Sequence, residues 1–533
     1  MFTKILVLSS YFILVLALGF LARSRLKDSP SDYFLAGRGL SGFVLIGTMA
    51  ATNFSAFTVF GASGAGYRDG LAFFPIMAFG TGFMALTFWL VGRKIWKAGR
   101  EFGLVTPAEL VKNLYNHRGL SALFALVMVV FTVPYLALQP MAGGYVLGQL
   151  FGLPQAAGAG LITGIIVIYT LRGGLKAVAW TDVFQGLLMV ILMITALLMV
   201  AAHHGGLEPA AGKVFQNHPE LFSRPGGQGR FGPGIWFSYL MLWFFCDPMF
   251  PQLFQRFYSA KNERALGRTM LFYPAICTLV FALPVGLGVL GHLDFPGLTG
   301  RTADNIVPLL VTQVGGDLMG TLILAAGLAA LMSTMDSQLL TLSSIFSRDL
   351  YPLLSGKKEE SALVGRIFVV CLALAGLALA VNPPATILQI ATQAFTGLAV
   401  LFPTVFFGLY LKRPRPAAAL VSIIAGEALV VAYALKLLPT GGFLPAVPVI
   451  AGSVAAYLLT HLITGPAGWP VVEKRQVWFM TGFVIIFAAA QDFWRWGETG
   501  TFWLGWPVWA WYFVGLSALQ TILMVRWLRP AEV

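Results

Sequence analysis

The chain has 533 residues, 58% hydrophobic and 11% charged, with a mean hydropathy of +0.79. Soluble domains spend about a quarter of their residues on charge, so this composition excludes a water-soluble globular protein, a disordered chain and a coiled coil. A formal charge of +13 raises nucleic-acid binding, and the placement of the basic residues has to decide that question.

A bilayer core of about 30 Å needs about 20 apolar residues per helix. Runs of that order between charged or Gly/Pro-rich breaks predict about fifteen spans: 5–22, 41–66, 71–92, 119–151, 156–171, 179–202, 233–255, 270–291, 316–345, 365–382, 386–411, 417–437, 443–464, 477–491 and 505–525. With the amino terminus outside and the carboxyl terminus inside, all but eight of the 35 Lys and Arg fall on the cytoplasmic side. The exceptions are Lys4, Arg68, Lys213, Arg224, Arg230, Arg301, Lys436 and Arg495. Cytoplasmic connections then hold Arg23, Arg25, Lys27, Arg38, Arg172, Lys176, Arg256, Lys261, Lys357, Lys358 and Arg529 among others, which is the positive-inside pattern. The basicity is therefore topological, and no nucleic-acid partner is expected. The first span has its charges behind it rather than ahead, so it reads as an uncleaved, outside-first anchor.

The longest connections, His203 to Gly232 outside and Thr106 to Arg118 inside, are too short to fold alone as catalytic domains. The sequence contains no Walker A, H-E-x-x-H or G-x-S-x-G pattern, so work must come from a gradient and an enzyme is not expected. Cys246, Cys277 and Cys371 lie in apolar runs and read as small core residues.

Two spans carry interruptions. The second has Thr52, Asn53 and Ser55 at its middle with Gly61, Gly64 and Gly66 beyond, and the seventh has Asp247, Pro248 and Pro251. Their spacing of five spans is that of an inverted repeat, whose broken helices offer free carbonyls to an ion or solute; simple Pro and Gly kinks are the other reading. In the ninth span Ala330, Ser333, Thr334, Ser337, Thr341 and Ser344 share one helical face. Such hydroxyls suit a hard cation, and they equally suit close interhelical packing; spacing leaves both open. Asp182, Asp247 and Asp336 are carboxylates at membrane depth, each a functional candidate. Asp182 could instead be a dipole-favoured residue at a helix N-terminus, and Asp336, about 200° around the helix from Thr334, is expected to pack against a partner. His203, His204, Glu208 and His218 are external, loosely spaced and read as solvated.

Four segments resemble the solute:sodium symporter family: Ser31 to Arg38 (SDYFLAGR), Gly173 to Gln185 (GGLKAVAWTDVFQ), Pro251 to Phe257 (PQLFQRF), and Ala329 to Ser337 (AALMSTMDS) continuing to Arg348–Tyr351 (RDLY). The resemblance implies an all-α polytopic membrane protein: a leading helix and loop over 1–40, a ten-helix five-plus-five inverted-repeat core over 41–411, and about four further helices over 412–533. It implies a sodium ion held by the carbonyls of Ala51, Phe54 and Ala330 and the hydroxyls of Ser333 and Thr334, with Asp182 close behind and holding Thr334. It places the solute among Asn53, Phe57, Thr58, Trp243, Cys246, Asp247 and Gln393. Sugar-carrying relatives have polar residues where this chain reads Pro75 to Gly80 (PIMAFG), which disfavours a sugar. The methyl of Ala330, where two-sodium relatives bear a hydroxyl, implies one sodium per solute.

The expected function is sodium-coupled import of a small polar organic solute by alternating access, in the inner cell membrane. The solute would be an organic anion such as a monocarboxylate or pantothenate, or an amino acid such as proline. Sodium is the coupling ion, no organic cofactor is expected, lipid is the surrounding partner, and a monomer is the functional unit. The competing classes are a transporter-derived sensor and a sodium-permeable channel.

Overall fold

The computed structural model describes residues 1–23, 30–171, 174–356, 362–465, 468 and 474–528. Arg25, Lys27, Arg172, Gly173, Lys357, Lys358 and Arg529, all used in the sequence reading, lie outside the described residues. The described chain is helical apart from a two-residue pairing of Phe502–Trp503 with Trp506–Pro507. An all-helical fold is what lipid dictates, because helices satisfy their backbone polar groups internally.

Among the described residues twelve helical runs are long and apolar enough to cross a membrane, and Gly42–Asn53 and Gln155–Thr170 are shorter apolar helices beside them. The count of twelve is below the fifteen expected. One reason is that broken spans leave short halves; another is that Phe57–Phe102, read as parts of two passes, is one continuous run with a positive-φ glycine, Gly70, inside it.

Both interruptions fall where the sequence placed them. Gly42–Asn53 ends at Phe54, and helical backbone resumes at Phe57–Gly61 and Ala62–Asp69. Pro233–Cys246 gives way to a 3-10 turn at Asp247–Met249 and resumes as Pro251–Ser259. Pro251 sits at the first position of that half-helix, where its missing N–H costs nothing.

The helix Leu175–His203 packs along Ile306–Ile345, and both pack against Gly42–Asn53. Glu263–Leu290 covers the other half of the first broken helix, Ala62–Asp69. Of the last helices, Pro416–Ala434 pairs with Ala446–Ile463, whereas Val508–Leu528 lies on Phe73–Met84 and Glu263–Leu290. Gln520 Nε2 donates to the carbonyl of Gly82 at 2.8 Å in that contact.

At the end that the charge pattern assigns to the cytoplasm, the two broken helices are stitched together. Leu40 N–H donates to Ser259 O at 3.1 Å, and Lys261 N–H to Leu40 O at 2.9 Å. Arg100 Nη2 donates to the carbonyls of Lys261 (2.7 Å), Arg38 (3.1 Å) and Ala260 (3.3 Å), fastening the same seam.

Three arginines assigned to loops by the sequence are buried in the protein: Arg68 pairs with Asp304 at 2.8 Å, Arg224 pairs with Asp492, and Arg256 pairs with Asp182 at 2.7 Å. Arg68 and Arg256 sit at the margin of a span, where a charge count cannot separate a loop residue from an interior ion pair, whereas Arg224 lies within the external segment and is buried by the chain around Asp492. Cys371 is exposed, unlike the buried Cys246 and Cys277.

Candidate functional site

The first break frees backbone groups, and neighbouring helices supply their partners. Ser333 Oγ donates to Ala51 O at 3.0 Å and lies 3.0 Å from Ala330 O. Thr334 Oγ1 lies 3.0 Å from Thr52 O and 3.3 Å from Ala330 O. The amide of Ala56 is taken by Gln139 Oε1 at 3.1 Å, and Phe54 N–H reaches Ala50 O at 2.8 Å. Four of the five expected sodium ligands, Ala51 O, Ala330 O, Ser333 Oγ and Thr334 Oγ1, thus converge in one buried cluster of hard oxygens. Phe54, whose carbonyl is the fifth, is the residue at which the helix stops. Gly186 permits this approach, since a Cβ there would meet Ala51 Cβ at 3.1 Å.

Asp182 stands beside the cluster but does not hold Thr334. Its Oδ2 accepts from Thr48 (2.5 Å), Thr52 (3.2 Å) and Arg256 Nη2 (2.7 Å). Arg256 also donates to Ser337 Oγ at 2.7 Å, to Thr48 Oγ1 at 2.8 Å and to Gln252 O at 3.0 Å. Asp182 and Arg256 are both 0% exposed. The connection to the ion cluster runs through Thr52, whose hydroxyl binds Asp182 while its carbonyl faces Thr334. Nor is Asp182 a helix N-terminal residue, because its helix starts at Leu175, two turns earlier. Arg256, Thr48 and Thr52 are the functional candidates that sequence reasoning missed. Arg256 was in view inside the segment Pro251 to Phe257, and the only signal of its interior position was that the half-helix after the break is itself buried.

Among the described residues the Asp336 side chain shares no hydrogen bond with the ion cluster and packs against partners, as its helical angle implied: it accepts from Tyr169 OH and from Ser337 Oγ at 3.3 Å. Beyond Ser337 the hydroxyl stripe serves packing: Thr341 Oγ1 donates to Gln255 Oε1 at 2.7 Å, and Gln255 Nε2 donates to Ser344 Oγ at 3.2 Å.

The expected solute residues meet on the other side of the same break. Asn53 Nδ2 donates to Tyr273 OH at 2.7 Å and lies 3.4 Å from Asp247 Oδ2. Cys246 Sγ lies 3.2 Å from Asp247 Oδ1. Phe57 and Trp243 have ring centroids 5.9 Å apart, and both approach Phe395, at 6.2 and 5.6 Å. Tyr135 and Phe250 each reach Phe395 at 4.8 Å, closing an aromatic box. Trp243 Nε1 is buried without a hydrogen-bond partner among the described residues; so is Thr58 Oγ1, but Thr58 lies away from the box, beside Met189, Met193 and Val280. Gln393 is not part of this group: it is exposed, and Phe395, about 200° further around the helix, faces the box in its place. Gly80 backs the box, because a Cβ there would meet Trp243 Cδ1 at 2.8 Å. That part of Pro75 to Gly80 therefore yields its space to an aromatic ring rather than to a polar side chain.

The sodium:solute symporter family profile matches residues 33–426. The sodium/pantothenate symporter of Escherichia coli (strain K12) is 30% identical over 465 residues, covering 85% of this chain and 95% of that protein. The sodium/pantothenate symporter of Haemophilus influenzae is 28% identical, over 84% of this chain and 93% of the relative. A sodium/proline symporter of Staphylococcus aureus is 26% identical, over 89% and 95%. Among solved structures, a Na+-coupled sialic acid symporter in a substrate-bound outward-open state superposes with a TM-score of 0.72 at 21% identity, covering 88% of this chain and 99% of that one. A nucleobase-cation-symport-1 family transporter in a closed conformation superposes at 0.56 with 14% identity. The chain, a multi-pass membrane protein with the fold of these sodium-coupled carriers, belongs to the sodium:solute symporter family.

Proposed function

We propose that the protein imports a small carboxylate-bearing organic solute, of the pantothenate or proline type, together with sodium. Sodium is held by the carbonyls of Ala51, Phe54 and Ala330 and the hydroxyls of Ser333 and Thr334. Asp182 supplies negative potential through Thr52 and is balanced by Arg256. With Ala330 contributing no side-chain oxygen, one sodium travels with each solute. The chain divides into a leading part over 1–40, a transport core over 41–411 and a C-terminal part over 412–533, which with both broken helices and the short helix Gln155–Thr170 counted gives fifteen passes.

The observation carrying this reading is that a single break, Ala51 to Phe57, touches both groups: Ser333 bonds its carbonyl side, Asn53 reaches Asp247 and Tyr273, and Phe57 faces the aromatic box. Sodium that fixes the carbonyls of Ala51 and Phe54 also fixes Asn53 and Phe57, so each ligand stabilises the state the other needs, and the coupling is reciprocal. The buried N–H of Trp243, without a partner among the described residues, is a donor that a solute carboxylate would satisfy. Asp247 favours a solute that also carries an amino or hydroxyl group, and the box of Phe57, Trp243 and Phe395 suits a small apolar body. Proline and pantothenate, the solutes named for the relatives, both combine a carboxylate with such groups.

Thermal-shift titration of the purified full chain with proline, pantothenate and short monocarboxylates, in sodium and in potassium buffers, tests the proposal. A stabiliser that needs sodium and loses its effect in Trp243→Ala supports it; stabilisation by none of the three classes in sodium contradicts it.

A further inference from the structure

The outer end of the helix Leu175–His203 holds a cluster that the transport site does not use. Two adjacent histidines on a regular helix diverge by about 100° and cannot share a ligand. Here the helix stops at His203, and His204 caps it at φ −100 and ψ 12 before Gly205 and Gly206, both at positive φ, turn the chain. The two rings therefore converge, with centroids 5.0 Å apart. Asp294, from the turn after Glu263–Leu290, completes the group: its Oδ2 lies 2.9 Å from His204 Nε2. One ligand atom from each of His203, His204 and Asp294 lies within 4.8 Å of the others. The second oxygen of Asp294 is 3.4 Å from Gln313 Nε2, which orients the carboxylate, and Lys213 Nζ donates to His204 O at 3.0 Å, bracing the turn.

We infer that His203, His204 and Asp294 form an external site for a single divalent transition-metal ion of the zinc class, tying the end of one transport helix to the turn that follows another. Two imidazole nitrogens with one carboxylate oxygen are a borderline donor set that suits zinc and excludes calcium and magnesium, which take all-oxygen shells. Three protein ligands leave the fourth tetrahedral position to water. Tetrahedral zinc with bonds of about 2.0–2.2 Å sets its ligand atoms about 3.3 Å apart, within reach of rotation by the exposed His203 ring. Binding replaces the His204–Asp294 hydrogen bond, with His204 keeping its proton on Nδ1 while Nε2 ligates. The sequence could not disclose this group, because Asp294 is distant in the chain and an α-helix continued through His204 would separate the histidines.

Isothermal titration of zinc chloride into the tag-free full chain tests the site. One ion should bind with a micromolar dissociation constant, His204→Ala and Asp294→Asn should each weaken it at least tenfold, and His218→Ala should leave it within about twofold. In hydrogen exchange, zinc should slow residues 200–206 and 291–296 in the parent chain and not in the two variants. Sodium-dependent thermal stabilisation checks that each variant is folded, and the exposed His203→Gln gives an independent reading should either core variant fail that check. Absence of stoichiometric binding at about 100 μM zinc, unchanged affinity in His204→Ala and Asp294→Asn, or binding with no slowing of exchange in either segment overturns the proposal.

Discussion

Removal of the charge at Asp182 tests how the ion cluster is braced. Its carboxylate and the Arg256 guanidinium are both fully buried and 2.7 Å apart, and Thr48 and Ser337 bond into the same knot, so four transmembrane segments meet there. Asp182→Asn keeps the shape and strands the arginine; losing one partner of a buried pair costs about 3–5 kcal/mol. Replacing both, as Asp182→Asn with Arg256→Met, removes the stranded charge, so the double variant should be more stable than the sum of the singles by well over 0.5 kcal/mol. The knot also positions Thr52, next to the Ala51 carbonyl, and we expect sodium affinity to fall at least tenfold in Asp182→Asn. Native-state binding stabilises by RT ln(1 + [L]/Kd), about 2.7 kcal/mol at one hundred times Kd and about 1.4 kcal/mol when affinity is tenfold weaker at the same sodium. Sodium-dependent stabilisation should therefore drop by about half. A variant that retains the full sodium increment, or additive effects in the double variant, would refute the reasoning.

Asp247→Asn should weaken solute binding about 10- to 100-fold, the loss of one charge-assisted hydrogen bond, while the sodium-dependent thermal shift stays within twofold of the parent. Arg100→Ala removes three bonds from the seam between the broken helices, so a single cysteine at Leu40 or Ala260 in a cysteine-free background should react about tenfold faster with a thiol reagent. Single cysteines at Gln228 and Lys436 should label with an impermeant maleimide in intact cells, and cysteines at Lys97 and Arg413 should not; the opposite pattern would invert the topology.

The positions of both breaks were legible because Pro248, Pro251 and the cluster of Thr52, Asn53 and Ser55 are local signals that no continuous membrane helix needs. The stripe on Ile306–Ile345 was legible as a face, yet its spacing could not say that Ser333 and Thr334 meet carbonyls while Thr341 and Ser344 meet Gln255. That division depends on which helices lie opposite. Arg256 was misassigned for a related reason: hydropathy ends a span at the first charge, and only tertiary pairing with Asp182 makes that charge interior. Gln393 came from the family resemblance, which points to its helix, whereas the box uses the aromatic residue two positions on, a difference of helical phase that a resemblance alone cannot fix.

The most direct test of the whole account is solute uptake into proteoliposomes driven only by an inward sodium gradient, comparing the parent chain with Ser333→Ala/Thr334→Ala and with Ser343→Ala. Ser333 and Thr334 contribute two of the five proposed ligand oxygens, whereas Ser343 lies off the stripe with its hydroxyl on Gly365 O at 3.0 Å. A hydroxyl oxygen coordinating an ion is worth at least as much as a hydrogen bond to a charged group, about 1.5–3 kcal/mol, so the double variant should need at least a hundredfold more sodium, which abolishes uptake at ordinary concentrations. Ser343→Ala should behave as the parent. Accumulation by the double variant with an unchanged sodium dependence, or equal accumulation by the parent when potassium replaces sodium, would contradict the account.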